Sequence, residues 1–320
     1  MTDGPVFQDL KVFTGNASPN LAQDICQYLE MPLGAVEVFE FSNENIFVQF
    51  KENIRARDVF IVQTMTSPVN TRLMELFIMI DAARRASAGR ITAVVPYYPY
   101  SRSDKKDQPR VPITARLIAN FLETAGADRL LTIDLHAGQI QGFFNIPVDE
   151  LTALYILSAH VKEMHIPDLT VVATDVGGAK GARRMADRLD CPLAVVEKRR
   201  LGNEEAVEAL TIIGDVKGRA VLIVDDEILT AGTLVATERV VREHGATEVY
   251  AAATHPILSG EAVARIKKSA IKELVVTDTI PLPPEKMLPN MRVLSVAPML
   301  GEAIRRIHTG QSVGALFNGH

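Results

Sequence analysis

Short runs of Val, Ile, Leu and Ala recur along this chain as unbroken stretches instead of alternating with polar residues, and nothing else in the sequence restricts its folding as strongly. They read DVFIVQT (58–64), RITAVVP (90–96), RLLTID (129–134), LTVVAT (169–174), LAVVEK (193–198), RAVLIVDD (219–226), EVYAAATH (248–255) and ELVVTDT (273–279). A strand that is apolar on both faces has to be covered on both, the condition met by a parallel sheet lying between helices. Amphipathic stretches separate many of these runs. The one that starts at Pro112, a favoured first-turn residue, carries Ile113, Leu117 and Phe121 at fourfold spacing beside Ile118, Leu122 and Ala125, and stops at Gly126. The expectation is an α/β chain of βαβ units.

The pattern repeats. Thr114 to His136 runs helix, Gly126-Ala127, strand, His136; Thr233 to His255 runs helix, Gly245-Ala246, strand, His255, at a constant offset. Matched order and spacing favour a duplicated domain. At 320 residues with 47% hydrophobic content, two cores are the better expectation, because single cores stop growing at roughly 250 to 300 residues. The boundary is expected at the segment IPVDELTA (146–153), giving domains over 7–150 and 151–310 and a tail over 311–320.

Several function classes are disfavoured by composition. No apolar run approaches the roughly 20 residues of a membrane span, and the opening MTDGPVFQDL lacks the basic and apolar regions of a signal peptide; a cytoplasmic protein without membrane attachment is expected. Cys26 and Cys191 are far apart in apolar surroundings and read as packing residues. A net charge of −5 argues against nucleic acid as a partner. Basic residues still cluster at 102–110 (RSDKKDQPR), 180–184 (KGARR) and 198–200 (KRR), as solvated islands or as contacts for a small anion.

In a doubly wound sheet the place to look is the carboxyl end of the strands. VVATD leads into VGGAKGARR, where a Gly-Gly turn and a helix N-terminus can converge on an anion, or form a plain tight turn. IVDDEILTAGT ends in paired acids, then Thr230-Ala231-Gly232-Thr233 opening a helix. Free amides and hydroxyls there suit a phosphate monoester and the acids suit hydroxyl donors such as a ribose diol, so ligand binding is favoured over a helix cap. RLLTIDLHAGQIQGFF sets Asp134 and His136 at a third strand end. No GxxxxGK[ST], GxGxxG or HExxH pattern occurs.

With these residues in place, DLHAGQIQGFFNIPVD (134–149) resembles the signature of ribose-phosphate diphosphokinases, the phosphoribosyl pyrophosphate synthetases. The similarity extends through FTGNASPNLAQDICQYL, FSNEN, PYYPYSRSDKK, VPITARLIANFLETAGADRLLTIDLH, DVGGAKGARRMADRL, GDVKGRAVLIVDD, THPILSGEA and EAIRRIHTGQSV. VDD followed by TAGT alone points only to the wider phosphoribosyltransferase-like group. The resemblance implies two similar phosphoribosyltransferase-like domains and transfer of the diphosphoryl group of ATP to the anomeric hydroxyl of ribose 5-phosphate.

Residue by residue, the resemblance implies that Leu229, Thr230, Ala231, Gly232 and Thr233 hold the sugar 5-phosphate, and that Asp225 and Asp226 hold the ribose hydroxyls. Asp175, Val176, Gly177, Gly178, Ala179 and Lys180 are expected around the transferred diphosphate. Phe41, Asn43, Glu44 and Asn45 match the adenine-binding segment, which in the family reaches in from a neighbouring subunit; Arg102, Ser103, Asp104 and Asp107 match the nucleotide loop. His136 and Asp175 match magnesium positions, with His136 also near ATP; imidazole is an atypical ligand for that ion. Lys198 and Arg200 match the basic catalytic pair of a mobile loop, Arg200 also serving ribose 5-phosphate. Phosphoryl transfer needs in-line positioning and cations where charge develops, which such a pair supplies. A homo-oligomer built from dimers, a hexamer, is implied, as are ADP and phosphate effectors at a site including Arg55, Gln141 and Ser312.

The chain departs from commoner members at several points. Many have Glu at Asn45, Gln at Ser103 and Arg at Gly181, where Arg183 and Arg184 are near enough to compensate. Asn53, Glu150 and Gly314 differ from one common version of the effector site. Many carry a third acid where this chain has Leu229, with Glu227 a possible substitute. That absence is the best argument for an alternative, a catalytically weak regulatory homologue; intact Lys198, Arg200, His136 and Asp175 argue for the active enzyme.

Overall fold

The computed structural model describes residues 8–200 and 208–316, which divide into two compact units. The first takes residues up to Thr152, the short piece Thr279–Pro281, and everything from Ser295 onward; the second takes Ala153–Asp278 and Leu282–Leu294. The chain changes units at Thr152, inside the segment expected to hold the boundary, but residues 295–310, expected in the second domain, pack with the first.

The first unit runs β1 (Gln8–Thr14), α1 (Pro19–Tyr28), β2 (Val36–Glu40), β3 (Ile46–Phe50), β4 (Arg57–Val62), α2 (Val69–Arg85), β5 (Arg90–Val95), α3 (Thr114–Ala125), β6 (Arg129–Ile133) and β7 (Val148–Leu151). Five strands, all parallel, form its sheet in the order β1-β4-β5-β6-β7. β2 and β3 form a separate antiparallel hairpin that lays Val36, Val38, Val48 and Phe50 on the unit's core. The central strands β4 and β5 are buried along nearly their whole length, as their unbroken apolar runs require.

The second unit comprises α4 (Leu154–Glu163), β8 (Leu169–Ala173), α5 (Ala179–Leu189), β9 (Leu193–Arg200), β10 (Glu208–Ile213), β11 (Ala220–Ile228), α6 (Gly232–Glu243), β12 (Glu248–Pro256), α7 (Ala262–Lys268), β13 (Ile271–Thr277) and β14 (Met291–Leu294). Its described strands form a seven-stranded sheet in the order β10-β9-β8-β11-β12-β13-β14, parallel except where β10 pairs antiparallel with β9. Helix α8 (Ala297–His308) then completes the first unit. Gly301 permits its approach to α1, since a Cβ there would lie 2.5 Å from the Tyr28 ring, and the Tyr28 hydroxyl donates to Glu302 at 3.1 Å. At the other end of α8, the fully buried Asp58 accepts Arg90 Nε at 2.8 Å and contacts His308 Nδ1 at 2.8 Å.

The sequence repeat is structural. Gly126 and Gly245 both take a left-handed φ, +115° and +90°, where a side chain is disfavoured. The next residues close the same bond onto the preceding helix: Ala127 donates to Leu122 at 3.1 Å and Ala246 to Val241 at 3.0 Å. Asp128 then donates to Ile91 at 2.8 Å and Thr247 to Arg219 at 2.9 Å, aligning each following strand with its neighbour. The repeat fails at its last residue, for His136 is exposed whereas His255 is buried. The apolar face of α3 also differs from expectation: Ala115, Ile118, Ala119 and Leu122 are buried, while Leu117 and Phe121 are exposed. The unit's core takes up the stripe of Ala115, Ile118, Ala119 and Leu122, which leaves Leu117 and Phe121 on the outward side.

Candidate active site

In the second unit the strand order reverses between β8 and β11. The chain leaves β8 toward β9 on one side and leaves β11 toward β12 on the other, which opens a crevice at the carboxyl ends of the two strands. The step is visible in the register: the β8 pairing ends at Ala173 opposite Val224, while β11 continues along β12 through Glu227 and Ile228. Asp225 and Asp226 therefore stand where β11 has outrun its neighbour. Both acids lie within the strand, as the run RAVLIVDD suggested, and β11 goes on two residues further, through Glu227 and Ile228.

Two loops flank this step. After β8, Thr174 is buried and its hydroxyl donates to Asp225 Oδ2 at 3.0 Å. Asp175 is exposed and its Oδ1 accepts the Gly178 N–H at 2.8 Å, so this carboxylate closes the tight turn that opens α5. Val176 in the turn and Lys180 in the first turn of α5 are exposed. Arg183 and Arg184 are exposed too, and a Cβ on Gly181 would meet nothing within 4 Å.

After β11 come half-buried Leu229, exposed Thr230, buried Ala231 in the left-handed region at φ +58°, and then Gly232 and exposed Thr233 opening α6. A left-handed alanine is held against its own preference, a strain that gathers at functional loops. It leads directly into a helix N-terminus, a setting in which backbone amides can converge on an anion. Glu227 is only 4% exposed, so it does not offer a solvent-facing acid in place of the one missing at Leu229.

Burial first, and the neighbouring Asp226 carboxylate second, push the Asp225 carboxyl up to about 8. Two acids crowded against a strand step, one reluctant to ionise, suit hydroxyl donors or a cation brought by the ligand.

The first unit gathers its expected residues on three segments. At the hairpin tip the Phe41 N–H donates to Asn45 O at 2.8 Å, and Asn43 Oδ1 accepts the Asn45 N–H at 3.2 Å. Glu44 turns the tip at φ +66°. Phe41, 48% exposed, stands edge-on to Phe39 and Phe47, with ring centres 4.9 and 6.0 Å away. The loop after β5 exposes Arg102 and Asp107. Ser103 Oγ accepts the Thr114 N–H at 3.2 Å, a support for the start of α3. Asp104 is buried and accepts the Gln139 amide at 2.7 Å.

Gln139 lies in the turn after β6, as does exposed His136, so this bond ties the two loops together. Sequence reasoning gave Gln139 no role, although it stands inside the quoted DLHAGQIQGFF. Glu150 was also missed as a support: it accepts Leu135 N–H at 2.9 Å, next to His136.

Of the expected effector residues, Gln141 donates its amide to Glu150. The Arg55 N–H donates to Asn53 Oδ1 at 3.0 Å, and Ser312 Oγ accepts the Gly314 N–H at 3.2 Å. Two of the departures from the commoner effector site are thus partners in local turns. Lys198 and Arg200 run in β9, opposite Leu210 and Glu208; their side chains lie outside the described residues. Both cysteines are free, Cys26 buried and Cys191 half-buried, with burial pushing the Cys26 thiol up to about 11. No helix among the described residues is long and apolar enough to cross a membrane.

Among the described residues no three His, Cys, Asp or Glu side chains gather as a metal centre. Exposed single carboxylates such as Asp175 nevertheless fit magnesium, which commonly uses one or two protein oxygens and completes its shell with water and substrate phosphates.

Two α/β units sharing a helix-glycine-strand repeat, one carrying paired acids on its central strand ahead of a loop that opens a helix, form an α/β enzyme of the phosphoribosyltransferase-like class. Residues 10–126 match the model of the N-terminal domain of ribose phosphate pyrophosphokinase, and residues 201–318 that of the phosphoribosyl synthetase-associated domain. The chain belongs to the ribose-phosphate pyrophosphokinase family. The ribose-phosphate pyrophosphokinase of Burkholderia pseudomallei is 51% identical over 310 residues, covering 96% of this chain and 97% of its own. That of Caldanaerobacter subterraneus subsp. tengcongensis is 50% identical over 309 residues, covering 96% and 98%. The crystal structure of phosphoribosylpyrophosphate synthetase from Mycobacterium smegmatis superposes with a TM-score of 0.90 at 42% identity, covering 94% of this chain and 99% of that one. Nothing among these relatives favours a catalytically weak homologue.

Proposed function

We propose that this chain performs the family's reaction, transfer of the diphosphoryl group of ATP to the anomeric hydroxyl of ribose 5-phosphate, with the sugar phosphate received on the second unit and the nucleotide on the first. The observation that carries the assignment is the step between β8 and β11, where paired acids meet a left-handed loop at a helix start. Leu229 to Thr233 receive the 5-phosphate on backbone amides and hydroxyls. Asp225 and Asp226 accept the ribose hydroxyls, and Asp175 to Lys180 receive the diphosphate.

On the first unit the half-exposed Phe41 face suits a planar base, and the Asn43, Glu44 and Asn45 tip offers polar partners beside it. Arg102 supplies positive charge for the phosphates; Ser103, Asp104 and Asp107 shape the same loop, and His136 stands on the adjoining turn. Lys198 and Arg200 act as the catalytic cations, countering charge that develops on the transferred group. Magnesium, arriving with the triphosphate, would be held by Asp175 where the diphosphate is received or by His136 where the nucleotide is received, and supplies charge neutralisation when bound.

The chain works as a homo-oligomer built from dimers up to a hexamer, in the cytoplasm, with ADP and phosphate acting through Arg55, Gln141 and Ser312. The exposed apolar side chains Met74, Leu117 and Phe121 support self-association.

The test is incubation of the pure protein with ATP, a magnesium salt and ribose 5-phosphate while AMP and phosphoribosyl pyrophosphate are followed together. Equal accumulation of both is expected. Absence of AMP across a range of phosphate and metal concentrations would sink the assignment.

A further inference from the structure

Three successive carbonyls, from the last residue of β11 into the loop after it, are taken up by one segment, the stretch from the end of β12 into α7. Leu258 N–H donates to Ile228 O at 3.0 Å, Ser259 N–H to Leu229 O at 2.8 Å, and Arg265 Nη1 to Thr230 O at 3.1 Å. The Ser259 hydroxyl adds a second bond to Leu229 O at 3.2 Å. Peptide units are planar and trans, so the C=O of one residue and the N–H of the next point in opposite directions. Holding the carbonyls of Ile228, Leu229 and Thr230 on the α7 side therefore turns the N–H groups of Leu229, Thr230 and Ala231 to the other side. Ala231, held at φ +58°, is the residue at which the chain turns into α6. An array of amides on one side, opening onto a helix N-terminus, is what an anion requires.

Arg265 is the least replaceable part of this bracket, because the other bonds come from backbone or a short hydroxyl. Its guanidinium also borders the loop's glycine: a Cβ on Gly232 would lie 3.5 Å from Nη1. Its ion pair with Glu261 is longer, at 3.7 Å, so the bond to Thr230 O is the closer of the two.

We propose that Arg265, assisted by Ser259, is a positioning residue for the sugar-phosphate loop, setting the direction of its amides from behind. This rests on the reading of Leu229 to Thr233 as the 5-phosphate site. The bracket lies wholly in the second unit and makes no demand on ATP. It predicts a defect confined to one substrate.

Steady-state kinetics of Arg265→Ala should show the KM for ribose 5-phosphate raised about tenfold, with the KM for ATP and the saturated kcat within about twofold. Ser259→Ala, which removes no charge, should move the same constant in the same direction by about threefold. Arg265→Lys, keeping one donor and the charge, should recover part of the loss. Melting temperatures within about 2 °C of the parent would show that the unit remains folded. Thr233→Ala, altering the loop itself, separates the two levels. If it raises the KM for ribose 5-phosphate while Arg265→Ala and Ser259→Ala do not, the positioning role is overturned and the loop assignment stands. Should none of the three raise it, the loop assignment itself fails and the positioning role falls with it. A rise in both KM values with Arg265→Ala would mark a general disturbance and also overturn the proposal.

Discussion

Thr174 donates its hydroxyl to Asp225 at 3.0 Å, a bond between neighbouring strands at the level where one has stopped and the other continues. It leaves Asp225 half-buried beside Asp226, and burial with that second carboxylate raises its carboxyl to about 8. An unfolded Asp titrates near 4, so between about pH 4 and 8 the folded chain binds the extra proton. The stabilising contribution is complete below the unfolded value and is lost as pH rises through the folded one. Asp225→Asn is expected to flatten the fall of Tm across that window and to raise the ligand-free Tm at pH 8 by about 3 °C. Scanning calorimetry at stepped pH checks this; a mutant curve parallel to the parent's would contradict it. If the ionised acid receives the ribose hydroxyls, the parent's KM for ribose 5-phosphate also falls as pH rises toward 8.

The Gln139 amide on Asp104 joins the loops after β5 and β6. Gln139→Ala leaves a buried carboxylate without that donor, a loss of about 1 to 3 kcal/mol at the loops. The expected result is a KM for ATP raised about fivefold with that for ribose 5-phosphate unchanged. Equal changes in both constants would assign Gln139 a general structural role instead.

Leu229 stands where the family resemblance implies an acid, and its carbonyl is already fixed by Ser259. Leu229→Asp should add an acceptor for a ribose hydroxyl without moving the loop, lowering the KM for ribose 5-phosphate about threefold. A third acid near Asp225 and Asp226 repels both, so the ligand-free Tm should drop by about 2 °C. An unchanged KM would show that the loop amides carry sugar-phosphate affinity without help from that position.

Asp58 is fully buried, with Arg90 and His308 as partners. Arg90→Met would leave this buried carboxylate with His308 but without its guanidinium partner and should cost about 3 to 5 kcal/mol, read as a lower urea midpoint. His308→Ala, which leaves Arg90 in place, should cost about 1 kcal/mol. A larger loss for the histidine would reverse this account of the cluster.

Strands buried on both faces were plain in the sequence: each of the unbroken apolar runs became a strand, and Gly126 and Gly245 marked equivalent turns. The hairpin Val36–Phe50 was not recognised as a hairpin because one of its faces rests on a core contributed by distant residues, so periodicity alone did not define it. Short β7 and β14 carry too few residues for a pattern. The outward turn of Leu117 and Phe121 depended on the core taking up the stripe of Ala115, Ile118, Ala119 and Leu122, a choice that fourfold spacing alone leaves open. In the site, loops at strand ends were legible from glycines, acids and hydroxyls. Their supports were not: Gln139, Glu150 and Arg265 act through side chains whose partners lie 15 or more residues away.

The return of α8 to the first unit has a consequence for the order in which the molecule can be made. Translation delivers β1 to β7 first, yet that unit lacks its closing helix and the His308 partner of Asp58 until the last stretch of chain has emerged. Every residue of the second unit is synthesised before then. A nascent chain halted before Ser295 would therefore hold all of the later unit and only part of the earlier one, so the half that begins synthesis is the half that completes its fold last.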